Sequence, residues 1–321
     1  MAADPVRAEA LLIERVDGVL AAALIRGGAL DDLLVQPEDA AGPGSVLVGR
    51  VSRIETGMAA AFVDVGMARH ALLRARDLDR ALRDRPIDRA LHEGQMLAVQ
   101  LVHPGYDDKG PRVIARLDPA LAGEAAGKAA GTPLRRPDNL AAALAAFGPA
   151  APAAIVVADP VMRLQAERAA AATGLDAAVE VDRDGRPLER CDARGAIAGA
   201  LDREVPLAGG GRLTFDPTRA LMAVDVDAGA GARDLAACNR AAAGAIARQL
   251  RIRNSAGVIV IDFIDVADPG QRQAVETALR AAVAPDRAGC SLAGFGPLGL
   301  YEMTRRRRGA ALADCWPGAH A

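Results

Sequence analysis

A chain of 321 residues outgrows the size that one hydrophobic core usually serves, so two or three lobes are expected, and a hydrophobic fraction of 51% excludes disorder as the overall state. The formal net charge of −2 excludes a global cationic field, so any nucleic-acid contact has to come from local basic patches. Met1-Ala2-Ala3-Asp4-Pro5-Val6-Arg7 lacks a basic start followed by an apolar core, and no run of about 18 apolar residues occurs, so the expectation is a cytoplasmic, soluble protein with no membrane partner.

Taking the chain in order, Ala10–Arg15 and Val19–Arg26 are apolar runs joined through Asp17-Gly18, a dipeptide that signals a hairpin. Five short strands with glycine-containing turns follow, over Ser45–Ile54, Ala60–Gly66, His70–Leu73, Met96–Val102 and Pro111–Ala115, and they predict a small closed barrel. Arg50, Arg53, Arg69, His70, Arg74, Lys109 and Arg112 scatter cations over it, with Phe62 as its internal aromatic. An OB-fold that binds single-stranded nucleic acid combines such cations with a stacking ring, whereas a Phe62 that merely fills the core is the competing reading. Residues 118–153, rich in Ala, Gly and Pro, read as a linker with at most one helix, around Leu140–Phe147.

The second half reads as α/β: strand Ala154–Ala158, helix Val161–Thr173, strand Ala177–Val181, then a glycine turn at Gly209-Gly210-Gly211 leading into a strand through Phe215. Val224-Asp225-Val226-Asp227 alternates, which places both acids on one strand face, and the unbroken apolar run Val258–Ile261 reads as a buried strand ending at Asp262. Apolar residues at helical spacing (Leu235, Cys238, Ala242, Ile246, Leu250) make the intervening segment a crossover helix, so the two strands run parallel and Asp225, Asp227 and Asp262 converge on one edge. Clustered carboxylates repel unless a cation sits among them, and Mg²⁺ held by one or two carboxylates plus waters and phosphate oxygens is the usual solution; strand-end acids that cap helices or face water are the alternative. A helix over Pro269–Val283 and a strand over Leu298–Thr304 lead into Arg305-Arg306-Arg307-Arg308, read either as a solvated surface or as a phosphate-binding patch. Cys191, Cys238, Cys290 and Cys315 form no C-x-x-C pair and read as reduced, mostly buried thiols.

Three stretches resemble the bacterial ribonuclease E/G endoribonucleases: Gly49–Glu55 with Ala60–Gly66 and Arg69-His70; Ala220–Gly229; and Ile246–Arg251 through Ile261-Asp262-Phe263-Ile264-Asp265, ending in Gly299–Arg305. By that resemblance Asp225 and Asp262 fall on the family's two metal-binding aspartates, and Asp227 falls where the family commonly has Asn. Phe62 and Lys109 match the aromatic and lysine with which the family's barrel contacts RNA, and Arg233 matches an arginine just after the catalytic strand. The implied fold class is α/β in several subdomains: an RNase H-like subdomain with an inserted OB-fold barrel, then a DNase I-like catalytic subdomain. Three departures stand out. Between Leu117 and Ala153 the family carries a sensor of the 5′-monophosphate of RNA, which this chain lacks; the family's zinc-binding cysteine pair is reduced to Cys315, with Gly318 in the second place; and the loop after Asp227 is short, with Ala230 in place of an arginine.

The expected organisation is therefore an N-terminal hairpin over 1–40, the barrel over 41–117, the linker over 118–153, the RNase H-like segment over 154–215 and the catalytic subdomain over 216–321. The expected activity is Mg²⁺-dependent (or Mn²⁺-dependent) hydrolysis of single-stranded RNA, in rRNA processing or mRNA decay, leaving 5′-phosphates. Asp225 and Asp262 hold the metal, Asp227 positions water, and Phe62, Lys109, Arg112, Arg233 and Arg305 contact RNA. Neither zinc nor a zinc-linked tetramer is expected, while a homodimer stays open. Two rival readings are a non-catalytic RNA-binding or assembly protein on the same fold, and a phosphatase with Asp225 as nucleophile.

Overall fold

The computed structural model describes residues 9–38, 41–105, 110–148, 152–230, 234–264 and 268–319 of a mixed α/β chain. Backbone contacts divide it into two units, one discontinuous in sequence (1–36 with 140–321) and one formed by the intervening sequence, Pro37–Asn139.

The discontinuous unit holds two sheets. In the first, β1 (Glu9–Val16), β2 (Val19–Arg26) and β3 (Ala29–Pro37) form an antiparallel meander, and β10 (Ala154–Val157) and β11 (Ala178–Val181) add in parallel on the β1 side, in the order β11-β10-β1-β2-β3. The run Leu11-Leu12-Ile13 lacks alternation because β1 is buried on both faces. Leu12 packs with α3 (Ala193–Gly199), while Leu11 and Ile13 pack with α1 (Asn139–Phe147) and α2 (Pro160–Thr173). Asp159 caps α2, its side chain accepting from Met162 N at 2.8 Å, and Gly174 ends the helix in the left-handed conformation.

The second sheet has the order β12-β13-β14-β15-β17-β16, built from β12 (Glu204–Pro206), β13 (Arg212–Pro217), β14 (Met222–Asp227), β15 (Gly257–Asp262), β17 (Tyr301–Arg305) and β16 (Cys290–Phe295). Only β14 and β15 are parallel, joined through α4 (Leu235–Ile252). Together α4 and α5 (Pro269–Val283) bury one face against Leu213, Phe215, Val224, Val226, Ile259, Ile261, Tyr301 and Met303. Residues of opposite parity, Asp225, Val258, Asp262, Glu302 and Thr304, are exposed on the other face. The β15 run is therefore helix-covered on one side only, and Val258 is 46% exposed.

The unit over Pro37–Asn139 is the barrel. Strands β4 (Val46–Glu55), β5 (Ala60–Asp64), β6 (Ala71–Arg74), β8 (Arg112–Ile114) and β7 (Met96–His103) pair in that order, and β7 returns to β4. Five strands close in this way, with β6 and β8 parallel, consistent with an OB-fold. Gly49 permits the closure: a Cβ there would lie 2.5 Å from Val63 Cγ1. Part of the stretch read as a linker belongs here, since β9 (Pro133–Arg135) adds to β4 and Gly131 N bonds Val48 O at 2.8 Å.

Candidate functional site

The acidic edge of the discontinuous unit follows from strand register. Asp225 on β14 is the direct parallel partner of Asp262 on β15, and both carboxylates are exposed on the helix-free face. Adjacent strands lie about 4.8 Å apart, so the two side chains can share one ion. Among the described residues no cation pairs with either of them. Two juxtaposed, exposed, anionic oxygen donors fit a hard divalent cation that takes its remaining ligands from water and phosphate. Among the described residues no group of three or more His, Cys, Asp or Glu gathers as an all-protein metal cage.

Asp227 shares that face but is committed elsewhere. Its Oδ1 accepts from Gly229 N at 2.8 Å and its Oδ2 meets Arg212 Nη2 at 3.2 Å, Arg212 being its cross-strand partner on β13. Gly211 makes this approach possible: at φ +85° its Cβ position would fall 2.2 Å from Asp227 O. Below this edge, burial and the Asp227 charge push the Cys238 thiol above its ordinary range. Arg212 escaped the sequence reading because its meaning lies in the β13–β14 register; the three glycines before it were the available signal.

Arg305 is a correction. Its side chain is fully buried, with Nε and Nη2 on the two oxygens of Asp286 at 2.8 and 3.1 Å and Nη1 on Asn254 Oδ1 and Ser255 O at 3.0 and 2.9 Å. Strand alternation turns Tyr301, Met303 and Arg305 to the core face, so the first arginine of the run reaches no phosphate. Arg233 and Lys109 lie outside the described residues, as does Asp265.

On the barrel, Phe62 points outward from β5, half-buried, while Ala61 and Val63 fill the interior. The reading of Phe62 as core is thereby set aside. The Arg53 guanidinium lies 4.7 Å from the ring centroid. Ser52, Arg53, Met58, Phe62, Arg69, His70, Leu72, His103 and Gly110–Arg112 line an open groove of about 890 Å³ around it. Ser52 Oγ donates to Phe62 O at 3.0 Å, so the 2.8 Å contact with His70 Nδ1 requires that nitrogen to carry the proton. Arg112 Nε is buried without a hydrogen-bond partner, a donor that an acceptor in the groove would satisfy. At the groove's shoulder, the Gly66 backbone N–H holds the Asp64 carboxyl below its usual range, with Arg50 and His70 acting in the same direction. This groove unites Phe62 and Arg112 with Arg53 and His70, whose roles were invisible until β4, β5 and β8 were registered.

A family model described as "Ribonuclease E/G family" matches residues 135–308, more than half of the chain. Ribonuclease G of Salmonella typhimurium (strain SL1344) is 46% identical over 122 residues, 36% of this chain and 25% of that protein. Ribonuclease E of Escherichia coli (strain K12) is 41% identical over 124 residues, 37% of this chain and 12% of that protein. A chloroplastic ribonuclease E/G-like protein of Arabidopsis thaliana is 36% identical over 138 residues, 40% and 14% of the two chains. The matched stretch thus spans a quarter or less of the length of these relatives.

Proposed function

The chain belongs to the ribonuclease E/G family, and from that premise we propose that it is a metal-dependent endoribonuclease acting on single-stranded RNA in the cytoplasm, in rRNA processing or mRNA decay. The observation that carries this reading is the register pair Asp225–Asp262 on the helix-free face. These two carboxylates would hold Mg²⁺ or Mn²⁺, and a cation held there would supply an activated water and charge screening at the scissile phosphate; water forming the new P–O bond while the P–O3′ bond breaks would leave a 5′-phosphate and a 3′-hydroxyl. Asp227 and Arg212 keep the end of β14 and its following turn in place, and Arg212 offers a cation beside the acids. Phe62 stacks a base and Arg112 takes an acceptor of the same strand. Lys109 and Arg233 are further RNA contacts in this proposal.

On the same reading the unit built on β1 and β10 is the RNase H-like subdomain, interrupted by the barrel, and the sheet bearing Asp225 is the DNase I-like subdomain. Zinc is not part of this proposal, because Cys315 has Gly318 where the family's second zinc-binding cysteine stands. Among the described residues no helix is long and apolar enough to cross a membrane.

The test is cleavage of a labelled single-stranded RNA with and without Mg²⁺. Asp225→Asn and Asp262→Asn should each lose about a hundredfold or more of the rate, since several kcal/mol of transition-state stabilisation depend on the site, while RNA affinity stays within a few-fold. Parent-like cleavage by both variants would remove these residues from the mechanism. RNA binding by the parent chain without any cleavage would favour the scaffold reading instead.

A further inference from the structure

The Phe62 groove does not end the cationic surface of the barrel. Met58 closes a short 3₁₀ turn over Thr56–Met58 and stands 62% exposed as a ridge. One flank of the ridge belongs to the Phe62 groove, and the other belongs to a second groove lined by Met58, Ala59, Arg74, Ala75, Arg76, Arg83 and Asp84. The ridge is anchored to the segment that bears these arginines: Ala75 N donates to Ala59 O at 2.8 Å, and Ala60 is the cross-strand partner of Arg74. The two grooves therefore keep a fixed spacing.

Charge gives the second groove its occupant. Three arginines face a single acid, Asp84, which meets Arg83 at a long 3.7 Å. Of the acids next to Arg76 in sequence, Asp77 is turned inward and held by Arg116 at 3.1 Å, and Asp79 is exposed with its Oδ1 accepting from Ala81 N at 2.9 Å, so neither pairs with Arg74 or Arg76 among the described residues. Among the described residues neither Arg74 nor Arg76 has an anionic partner. Arg74, half-buried, and Arg76, exposed, leave guanidinium charge in a concave surface to attract phosphate, and a polarizable thioether between two such surfaces offers an apolar rest for a base.

We propose that the groove lined by Arg74, Arg76 and Arg83 is a second backbone site for the single-stranded RNA held at Phe62, the strand crossing the Met58 ridge between the two. This rests on the RNA-binding reading above and extends it. An acidic peptide would also meet the charge, but it would gain nothing from continuity with a stacking groove. The shared Met58 flank favours one polyanion that lies in both.

Chain length is the diagnostic variable. Affinities of the whole protein for fluorescent oligouridylates, of about 4 to 16 nucleotides to cover the site sizes of one OB-fold, would be measured without divalent cation. The parent is expected to gain affinity as length increases beyond what the Phe62 groove alone accommodates, then to reach a plateau. Arg76→Gln/Arg83→Gln, which changes two exposed side chains, should match the parent on the shortest oligomer and lose most of the later gain. With two fewer phosphates neutralised, its salt slope on long oligomers should fall by about 1.4, at 0.7 per phosphate on a single strand. Phe62→Ala should weaken every length. A double variant that equals the parent at all lengths, or loses equally at all lengths, overturns the second site, as does its defect being confined to acidic peptides. A parent that binds no oligomer of any length overturns the RNA reading as well.

Discussion

Phe62 is the residue on which the RNA-binding reading turns most directly. Its ring stands on the outer face of β5 with Arg53 over it, so the barrel interior does not depend on it. Truncation to Ala removes a base platform and one exposed cation–π contact, the latter worth about 0.5–1 kcal/mol. Phe62→Ala is therefore expected to leave the melting temperature within a few degrees of the parent while costing about 1–3 kcal/mol of affinity for single-stranded RNA. A melting curve run beside the binding isotherm checks both halves, and a large loss of stability with parent-like affinity would reverse the assignment. Such a residue is half legible in sequence: an aromatic amid cations is visible, but which way it points depends on where β5 begins its alternation. Asp225 and Asp262 were more readable, because a strand, crossover helix and strand constrain two acids to one edge whatever the loops do. The engagement of Asp227 by Arg212 was not, since it needs the register of a hairpin.

At the scale of elements, long-range ion pairs decided what the periodicity could not. Strand β3 carries Asp31-Asp32 in its middle, which looks like a turn, yet it forms because Arg251 bonds Asp31 at 2.5 Å and Arg287 grips Asp32 at 2.8 and 3.2 Å, both from more than 200 residues away. Strand β16 was missed for a different reason: it is bulged between Leu292 and Gly294 and has glycine and serine where β-branched residues would announce a strand. Arg305 on β17 is the third case, an apparent surface cation that completes a buried pair with Asp286. Breaking that pair with Asp286→Asn leaves a guanidinium buried without its anion and should destabilise the protein by about 3–5 kcal/mol in denaturant melts. The pair also predicts a pH dependence. Burial raises the Asp286 pKa, but the hydrogen bonds and charge of Arg305 outweigh it, and the folded-state value lies below the ordinary one. Its stabilising contribution is thus complete above the unfolded-state value of about 3.9 and disappears as pH falls through the lower folded value. Stability measured from neutral pH downward should show a larger acid loss in the parent than in Asp286→Asn, the difference being the Asp286 contribution.

For the molecule as a whole, the informative stretch joins the two units. Residues 118–153 hold a helical turn over Pro119–Gly123, the edge strand β9 and the whole of α1. Arg135 is exposed on an edge strand and Arg136 donates to the Glu38 backbone carbonyl at 3.3 Å, so the two arginines of this stretch do not converge on a common ligand. Telling a terminal phosphate from an internal one requires donors arranged around all of its oxygens, because a single cation attracts either equally. The proposed nuclease should therefore cleave 5′-hydroxyl and 5′-monophosphate forms of one RNA at rates within about threefold of each other, a difference well under 1 kcal/mol. Parallel time courses on the two substrates, with Asp225→Asn as the blank, measure this directly. A preference for the monophosphate of about tenfold or more, roughly 1.4 kcal/mol, would place end recognition elsewhere in the chain, and the exposed arginines of the barrel would be the first to substitute.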